Sequence, residues 1–293
     1  MKSLQEWEEQ FKEKDGLAYF NAIKKFTRNA VRFKLQKGDE AQIPVGASKM
    51  GGLPDLPQGV DWFVNEKTKT PLSFICQVNF AESKEFDLEN ELPDSGVLYF
   101  FYDLSEEGEC WGLEADDAYG TKVYYYDGDL AQLERKAAPT ELNDDSKGVV
   151  FPAARITFET ELDLPDYDSD LTCAALDDIT EEECDKGSDA FWEIKDGDET
   201  ISKLLGRPNN VQNAMELEAA SWLIEGYEFN FKKENYAKLD LPYAERCVLL
   251  LQIDSEDDVD MMWGDCGRLY IWITKEDLKA KNFDKVWLSL QCY

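Results

Sequence analysis

Two stretches of sequence decide the fold: Leu72-Ser73-Phe74-Ile75-Cys76-Gln77-Val78-Asn79-Phe80 and Val248-Leu249-Leu250-Leu251-Gln252-Ile253-Asp254. Each is a short apolar run that carries one glutamine, Gln77 in the first run and Gln252 in the second. Runs of this length, bounded by polar and turn residues, are typical of strands that are buried on at least one face. The sequence therefore predicts two buried strands that carry a polar side chain at the same place.

The residues around these two runs also repeat in the same order, which indicates an internal duplication. An alternating apolar strand precedes each run, and a Ser-Lys pair lies between that strand and the run. A Gly, a Leu-Tyr pair and a Lys-Val pair follow each run. The paired anchors are Gln77 with Gln252, Gly96 with Gly267, Leu98-Tyr99 with Leu269-Tyr270, and Lys122-Val123 with Lys285-Val286. We predict copies at about 31–130 and 154–293.

These patterns predict a single domain over residues 1–293, of the α+β class and mainly β. We expect roll-like antiparallel sheets built from two pseudo-repeated, strand-rich halves, with N-terminal helices. Leu4, Trp7 and Phe11 share one helical face, which should dock on the sheet, and Asp15-Gly16 should end that helix. Further short helices are predicted around Phe20–Phe26, Ala214–Leu223 and Glu276–Lys281, the last capped by Thr274.

Between the copies lies an acidic insert at about 161–199, with sixteen Asp or Glu and two Lys. Such a run is usually a solvated or poorly ordered loop. Its segment Asp166-Tyr167-Asp168-Ser169-Asp170 resembles the start of a calcium loop. However, Leu171 and Asp177 stand where such a loop needs Gly and Glu, so no metal site is predicted.

The composition excludes several classes of function. There are 62 Asp and Glu against 31 Lys and Arg, a net charge of −31, and no histidine. Ser-His-Asp and Cys-His catalysis and Cys/His zinc sites are therefore excluded within this chain. Nucleic acid and anionic membranes should be repelled, whereas a basic protein or a cation is favoured as partner. The alternative is that the charge serves solubility alone. No cofactor is expected.

The cysteines and the hydropathy pattern predict a compartment. The seven cysteines contain no Cys-x-x-Cys pair, and the N-terminal residues lack an apolar signal core. No apolar run approaches the roughly 18 to 20 residues that a membrane helix needs. We expect a soluble cytoplasmic protein with reduced thiols.

Two segments resemble a known family. They are Ser48-Lys49-Met50-Gly51-Gly52-Leu53-Pro54-Asp55-Leu56-Pro57 and Met262-Trp263-Gly264-Asp265-Cys266-Gly267-Arg268-Leu269-Tyr270. Together with Trp62 and Pro71–Asn79, they resemble the YwqG-like family, an uncharacterised bacterial domain of unknown function. The resemblance runs from about Val31 to Tyr293. It departs from the commoner pattern at Phe63 and in the acidic insert.

The resemblance implies a mainly β, roll-like α+β fold, and it brings no established activity and no catalytic residues. Relatives of this type also look like components of bacterial toxin–immunity neighbourhoods. The resemblance therefore points toward a binding protein without naming its partner.

Candidate ligand-binding residues come from the repeats and from these two segments; they are Lys49, Gly51, Gly52, Gln77, Gln252, Trp263 and Asp265. The two glutamines either line a cleft between the halves or tie down backbone of the neighbouring loop. Lys49 either pairs with carboxylates or binds an anionic group beside the Gly51-Gly52 backbone. Asp265 either forms an Asx-type turn or serves as a site carboxylate, and Trp263 either fills the core or marks an interface.

Two functions remain. The first is a noncatalytic, acidic protein-binding module that engages a basic partner, with an immunity-type protein as one form of it. The second is a small-molecule-binding protein or a carboxylate-based enzyme with a site at the seam between the two repeats. No catalytic residue is predicted.

Overall fold

The computed structural model describes residues 3–105, 108, 110–195, 200–226 and 241–293. Within them lie twelve strands: β1 (Arg28–Lys37), β2 (Lys49–Met50), β3 (Asp55–Pro57), β4 (Ser73–Asn79), β5 (Val97–Tyr102), β6 (Thr121–Tyr126), β7 (Leu133–Arg135), β8 (Ala154–Asp163), β9 (Lys203–Leu205), β10 (Cys247–Asp254), β11 (Arg268–Thr274) and β12 (Val286–Gln291). The same residues form α1 (Leu4–Glu13), α2 (Leu17–Ile23), α3 (Phe80–Ser83), α4 (Asp170–Ala175), α5 (Glu181–Lys195), α6 (Glu216–Ala220), α7 (Leu241–Ala244) and α8 (Lys275–Lys279). The predicted α+β, mainly β class is confirmed.

Ten strands form one antiparallel sheet in the order β12-β11-β10-β9-β1-β8-β2-β4-β5-β6, and β3 pairs with β7 in a separate ribbon. The order is symmetric about the central pair, in which Arg28 lies opposite Asp163 and Lys37 opposite Ala154. Each central strand also pairs with a strand of the other copy, β1 with β9 and β8 with β2. The copies thus exchange their first strands and form one continuous sheet.

Both copies carry a β-bulge at the same place. The register of β4 against β5 shifts between Phe74 and Cys76, and that of β10 against β11 shifts between Leu249 and Leu251. A bulge changes the direction of the side chains that follow it. In each copy the glutamine is the first residue after the bulge whose side chain points away from the main core. The repeated bulge therefore gives Gln77 and Gln252 equivalent positions and orientations in the two copies.

The sheet curls around the main core until its edge strand β12 meets the segment that precedes the other edge strand, β6. Leu290 N on β12 donates to Trp111 O at 3.1 Å, and Trp287 Nε1 donates to Gly112 O at 2.9 Å. A Cβ on Gly112, which has φ +83°, would lie 1.7 Å from Leu288 O. Only glycine allows the backbone to approach this closely, so Gly112 helps to nearly close the barrel.

The N-terminal helices form a separate layer. Ser3 and Glu6 make a capping box for α1, and Asp15 ends the helix in the left-handed region with φ +58°. Trp7 and Phe11 are buried as predicted, but they pack with α2 and α5. The predicted docking of this face directly on the sheet is therefore corrected, and Leu4 is 45% exposed.

The acidic insert is helical over most of its length, which corrects the expectation of a solvated loop. Ala175, Ala190 and Phe191 are buried in the same cluster as the apolar residues of α1 and α2. A Cβ on Gly187 would lie 2.0 Å from Tyr19 Cβ, so α5 packs closely on α2. The acidic count concealed this apolar stripe, because the carboxylates of α5 lie on its exposed face. Residues 196–199 of the insert lie outside the described residues.

The remaining helix predictions concern the second copy. Thr274 caps α8 as predicted, with its hydroxyl accepting from Asp277 N at 3.0 Å. The helix predicted over Ala214–Leu223 is α6, continued by a π-helical turn over Ser221–Glu225. No helix in the described part of the chain is long and apolar enough to cross a membrane.

Candidate functional site

Lys49 lies at the centre of a buried polar cluster in the first copy. Its neighbour Met50 faces the main core, so the alternation of β2 directs Lys49 to the outer face of the sheet. Lys49 is 0% exposed, and its Nζ donates to Glu40 Oε1 at 3.0 Å and to Asp55 Oδ1 at 3.4 Å. The lysine charge is thus matched by two carboxylates beneath the loop that follows β2.

Gln77 fastens the same loop from the neighbouring strand. Its Oε1 accepts from Asp55 N at 2.8 Å, and its Nε2 donates to Ala47 O and to Asp55 Oδ2, both at 2.8 Å. The Tyr99 hydroxyl donates to Asp55 O at 2.5 Å. The Gln77 amide therefore holds backbone on both sides of the Gly-Gly-Leu-Pro turn.

Arg135 on β7 completes the cluster. Its Nε donates to Asp55 Oδ1 at 2.8 Å, while its terminal nitrogens donate to Glu40 O at 2.8 Å and Ile43 O at 2.9 Å. Burial alone would raise the pKa of Asp55, but the Arg135 hydrogen bond and the Lys49 charge outweigh it and hold the pKa below its usual value. Burial lowers the pKa of Lys49, although Asp55 and Glu40 oppose that change.

The second copy contains an equivalent cluster around Lys203. Lys203 Nζ bonds Asp163 Oδ2 and donates to Asn209 Oδ1 at 2.7 Å. Gln252 Oε1 accepts from Asn209 N at 3.0 Å, and its Nε2 donates to Ile201 O at 2.6 Å. The Tyr270 hydroxyl donates to Asn209 O at 2.6 Å, as Tyr99 does to Asp55.

The two clusters differ at the loop residue that the glutamine binds, and they lie apart. Asp55 in the first copy corresponds to Asn209 in the second. Gln77 and Gln252 are each 0% exposed, and β9, β1, β8 and β2 separate their strands in the sheet. The structure thus places the two glutamines in separate clusters and not in one cleft. A ligand at either amide would have to break bonds to loop backbone.

Gly51 and Gly52 are adjacent to Lys49 but present no free amide group. Gly51 N donates to Ile75 O at 2.8 Å and Gly52 N donates to Phe151 O at 2.9 Å. Both have positive φ, and a Cβ on Gly51 would lie 2.1 Å from Pro152 O. These glycines allow a tight crossing of two chain segments.

Trp263 and Asp265 lie away from both lysines. Trp263 is 1% exposed, its Nε1 donates to Asp254 O at 2.9 Å, and its ring packs edge-on against Tyr102 and Phe151. Asp265 is exposed in the turn before β11, and its backbone O accepts from Tyr293 N at 3.0 Å. Of the seven candidates, the structure brings together Lys49, Gly51, Gly52 and Gln77.

Local sequence patterns did not single out the other members of the two clusters, which are Glu40, Asp55, Arg135, Asp163 and Asn209. A signal was present for two of them. Asp55 follows Ser48 by the same seven positions that separate Asn209 from Ser202. In both copies a Gly of the loop precedes this residue, and a Pro stands directly before it. An alignment of the two copies through this loop therefore pairs Asp55 with Asn209.

A cavity of about 420 Å³ lies between the edge strands β6 and β12. Thr121, Lys122 and Val123 line one side, and Val286 and Leu288 line the other. Phe63 and Leu72 add apolar surface, and Lys122 Nζ lies 5.6 Å from the centre of the Phe63 ring. The carboxylates on the lining are Glu66, Asp117 and Asp284. The cavity occupies the seam where the two halves meet, with a different set of residues from the seven candidates.

The cysteines and two carboxylates of the insert lie outside the lysine clusters and the cavity. All seven cysteines are free, and burial raises the pKa of Cys110 and of Cys247 to about 12. Neither thiol is therefore a thiolate at neutral pH. Asp168 and Asp170 accept from Asn210 Nδ2 and Leu217 N, at 2.8 and 2.9 Å. Across the described ranges, no three Cys, Asp or Glu side chains are grouped so as to hold a metal ion.

Glu216 on α6 is the least accommodated acid in the described residues. It is 2% exposed, and neither carboxylate oxygen has a hydrogen-bond partner there. Burial, together with the charge of Asp170, raises the pKa of Glu216 to about 7. The group thus titrates near neutral pH.

Comparison with protein families matches residues 48–292 to a domain of unknown function, DUF1963. The match spans both copies, and the chain belongs to this family. The comparison with curated proteins found no match.

Proposed function

We propose that this chain is a noncatalytic, cytoplasmic binding protein whose acidic surface engages a basic protein partner. We place it in the YwqG-like group on the two segments around Lys49 and Trp263. The resemblance to a family whose members look like components of toxin–immunity neighbourhoods favours an immunity-type role.

The charge distribution is the observation that carries this proposal. The chain carries 62 acidic against 31 basic residues, and α5 presents one dense part of this excess. Its exposed carboxylates are those of Glu181, Glu182, Glu183, Asp185, Asp189 and Glu193. Such a face raises the rate of encounter with a positively charged partner. The saturated bonds of the two lysine clusters also favour a structural role for those polar groups over a chemical one.

A pull-down from host lysate at low salt, eluted stepwise with NaCl, tests the proposal. We expect one basic protein to be released at a defined step, because salt screens charges beyond about 10 Å at 0.1 M. Its affinity for the purified chain should fall about tenfold or more between low and high salt. Capture of the same proteins by an unrelated acidic protein, or an affinity that is flat with salt, would contradict the proposal.

A second candidate function is small-molecule binding or carboxylate-based catalysis at the seam. The cavity of about 420 Å³ between β6 and β12 favours it, because ligand sites commonly measure about 300–1,000 Å³. Its lining combines an apolar floor with Lys122 and three carboxylates, which is the mixture expected of a polar organic ligand.

Thermal-shift screening with metabolites and divalent cations tests this second candidate. A ligand at about 100 times its Kd should stabilise the fold by about 2.7 kcal/mol and raise the melting temperature. Ala118→Trp, at the cavity lining, should abolish the shift, whereas Leu113→Trp, which is exposed outside it, should retain it. A screen without any shift would remove this candidate.

A further inference from the structure

An exposed aromatic pair lies on the acidic helical layer. Trp192 on α5 is 54% exposed and Tyr167 is 38% exposed, with ring centroids 4.7 Å apart. All eight tryptophans of the chain are among the described residues, and Trp192 alone is exposed. The others are buried or half-buried, as is usual for so large an apolar side chain.

The packing of α5 does not require this tryptophan. The helix is fastened by Gly187, Ala190 and Phe191, and the Phe191 ring lies 6.5 Å from Phe11 and 6.3 Å from Tyr19. Trp192 projects beside that buried face. Its apolar surface stays in water, although exposed aromatic surface is a common centre of protein interfaces.

The surroundings of the pair are strongly acidic. Asp185 and Asp189 precede Trp192 by seven and three positions, and these spacings place all three on one side of the helix. Both carboxylates are exposed. Asp166 and Asp168 flank Tyr167 in the chain, and Glu193 pairs with Lys14. The aromatic rings thus stand within a field of negative charge.

We propose that the Tyr167–Trp192 pair, with Asp185 and Asp189, is the surface on which an arginine-rich segment of a partner protein binds. A guanidinium stacks on an aromatic face and bonds carboxylates at its edge, so it uses both features of this surface at once. The negative charge of the surface favours a basic partner. The aromatic rings favour arginine over lysine in that partner, because a guanidinium stacks on a ring. This inference rests on the proposed function and names its contact surface.

The test uses a fluorescein-labelled peptide of nine arginines and measures its Kd by anisotropy at low salt. Trp192→Ala should weaken binding about tenfold, or about 1.4 kcal/mol, which is the size of effect expected when a desolvated cation–π contact is lost. Leu88→Ala is the matched control. Leu88 is 64% exposed and stands between Asp87 and Glu89, without a stacked ring, so its Kd should change less than twofold.

A second pair of variants distinguishes binding at this surface from a general effect of the net charge of the protein. Asp185→Lys with Asp189→Lys should weaken the peptide more than Asp61→Lys with Asp257→Lys, which changes the total charge equally at other exposed sites. Melting temperatures near that of the wild type confirm that each variant folds. If all variants bind the peptide like their controls, the assignment of the binding site to this surface is wrong, while the proposed function stands. If the wild type binds no arginine peptide at low salt, this inference falls and an electrostatically engaged partner is contradicted with it.

Discussion

Replacing Asp55 by alanine is expected to lower the free energy of unfolding by about 3–5 kcal/mol, which is the usual cost of breaking a buried ion pair. Asp55 is 0% exposed and binds both Lys49 and Arg135. Without its carboxylate, Lys49 retains Glu40 alone, and Gly46 N loses its acceptor. Urea unfolding of both proteins at neutral pH measures the difference.

Asn209→Ala is the matched control, because Asn209 holds the same place in the second copy. It removes a neutral amide and leaves Lys203 paired with Asp163, so we expect a loss of about 1–3 kcal/mol. An Asp55→Ala cost no larger than that of Asn209→Ala would show that the charge at Asp55 contributes little.

The stability from the Asp55 charge also has a defined pH window. Because the pKa of Asp55 in the folded state lies below the ordinary 3.8, its ionised form is favoured by folding. This contribution is present above the unfolded-state pKa and is lost as the pH falls through the folded-state pKa. The advantage of wild type over Asp55→Asn should therefore be constant at pH 5–8 and shrink only below about pH 4.

Glu216→Gln is expected to stabilise the protein by about 3 kcal/mol at pH 8. The pKa of Glu216 rises from the ordinary 4.5 to about 7, and each unit corresponds to about 1.36 kcal/mol. Since the folded-state pKa is raised, folding favours the protonated acid. That advantage is complete below about pH 4.5 and is lost as the pH rises through about 7. A neutral glutamine avoids the loss.

Chemical unfolding of the two proteins from pH 4.5 to 8.5 measures this prediction. The stability of Glu216→Gln relative to wild type should increase steadily with pH and level off above about pH 7. Glu276→Gln replaces an exposed acid and should show no such trend. A Glu216→Gln protein that is equally less stable at every pH would mean that the ionised carboxylate has a partner.

The local patterns of the sequence predicted much of the fold. The anchors from Gln77 and Gln252 through Leu98-Tyr99 and Leu269-Tyr270 identified two equivalent sets of strands, and the antiparallel sheet confirms the class. The end of α1 at Asp15 and the cap of α8 at Thr274 were also predicted. These features depend on residues within a few positions of one another, so a single sequence carries them.

Local sequence patterns predicted less of the candidate site than of the fold. Lys49 and Gln77 stand out in the sequence because they repeat, but Glu40, Asp55 and Arg135, which complete the cluster, come from three different parts of the chain. Whether a lysine is buried depends on the carboxylates that fold over it, because an unpaired buried charge is too costly to persist. The acidic insert was misjudged for a related reason: its helices are stabilised by the apolar faces of α1 and α2.

By itself, then, the sequence determined the repeat, the strand class, the caps and a charge of −31. Only the tertiary structure decided that the copies exchange their first strands, that the seam between β6 and β12 contains a cavity, and that Trp192 remains exposed beside Tyr167. Each of these depends on which distant segments meet. Strand periodicity fixes which face of a strand is buried, but it does not select the neighbour among many apolar strands of similar pattern.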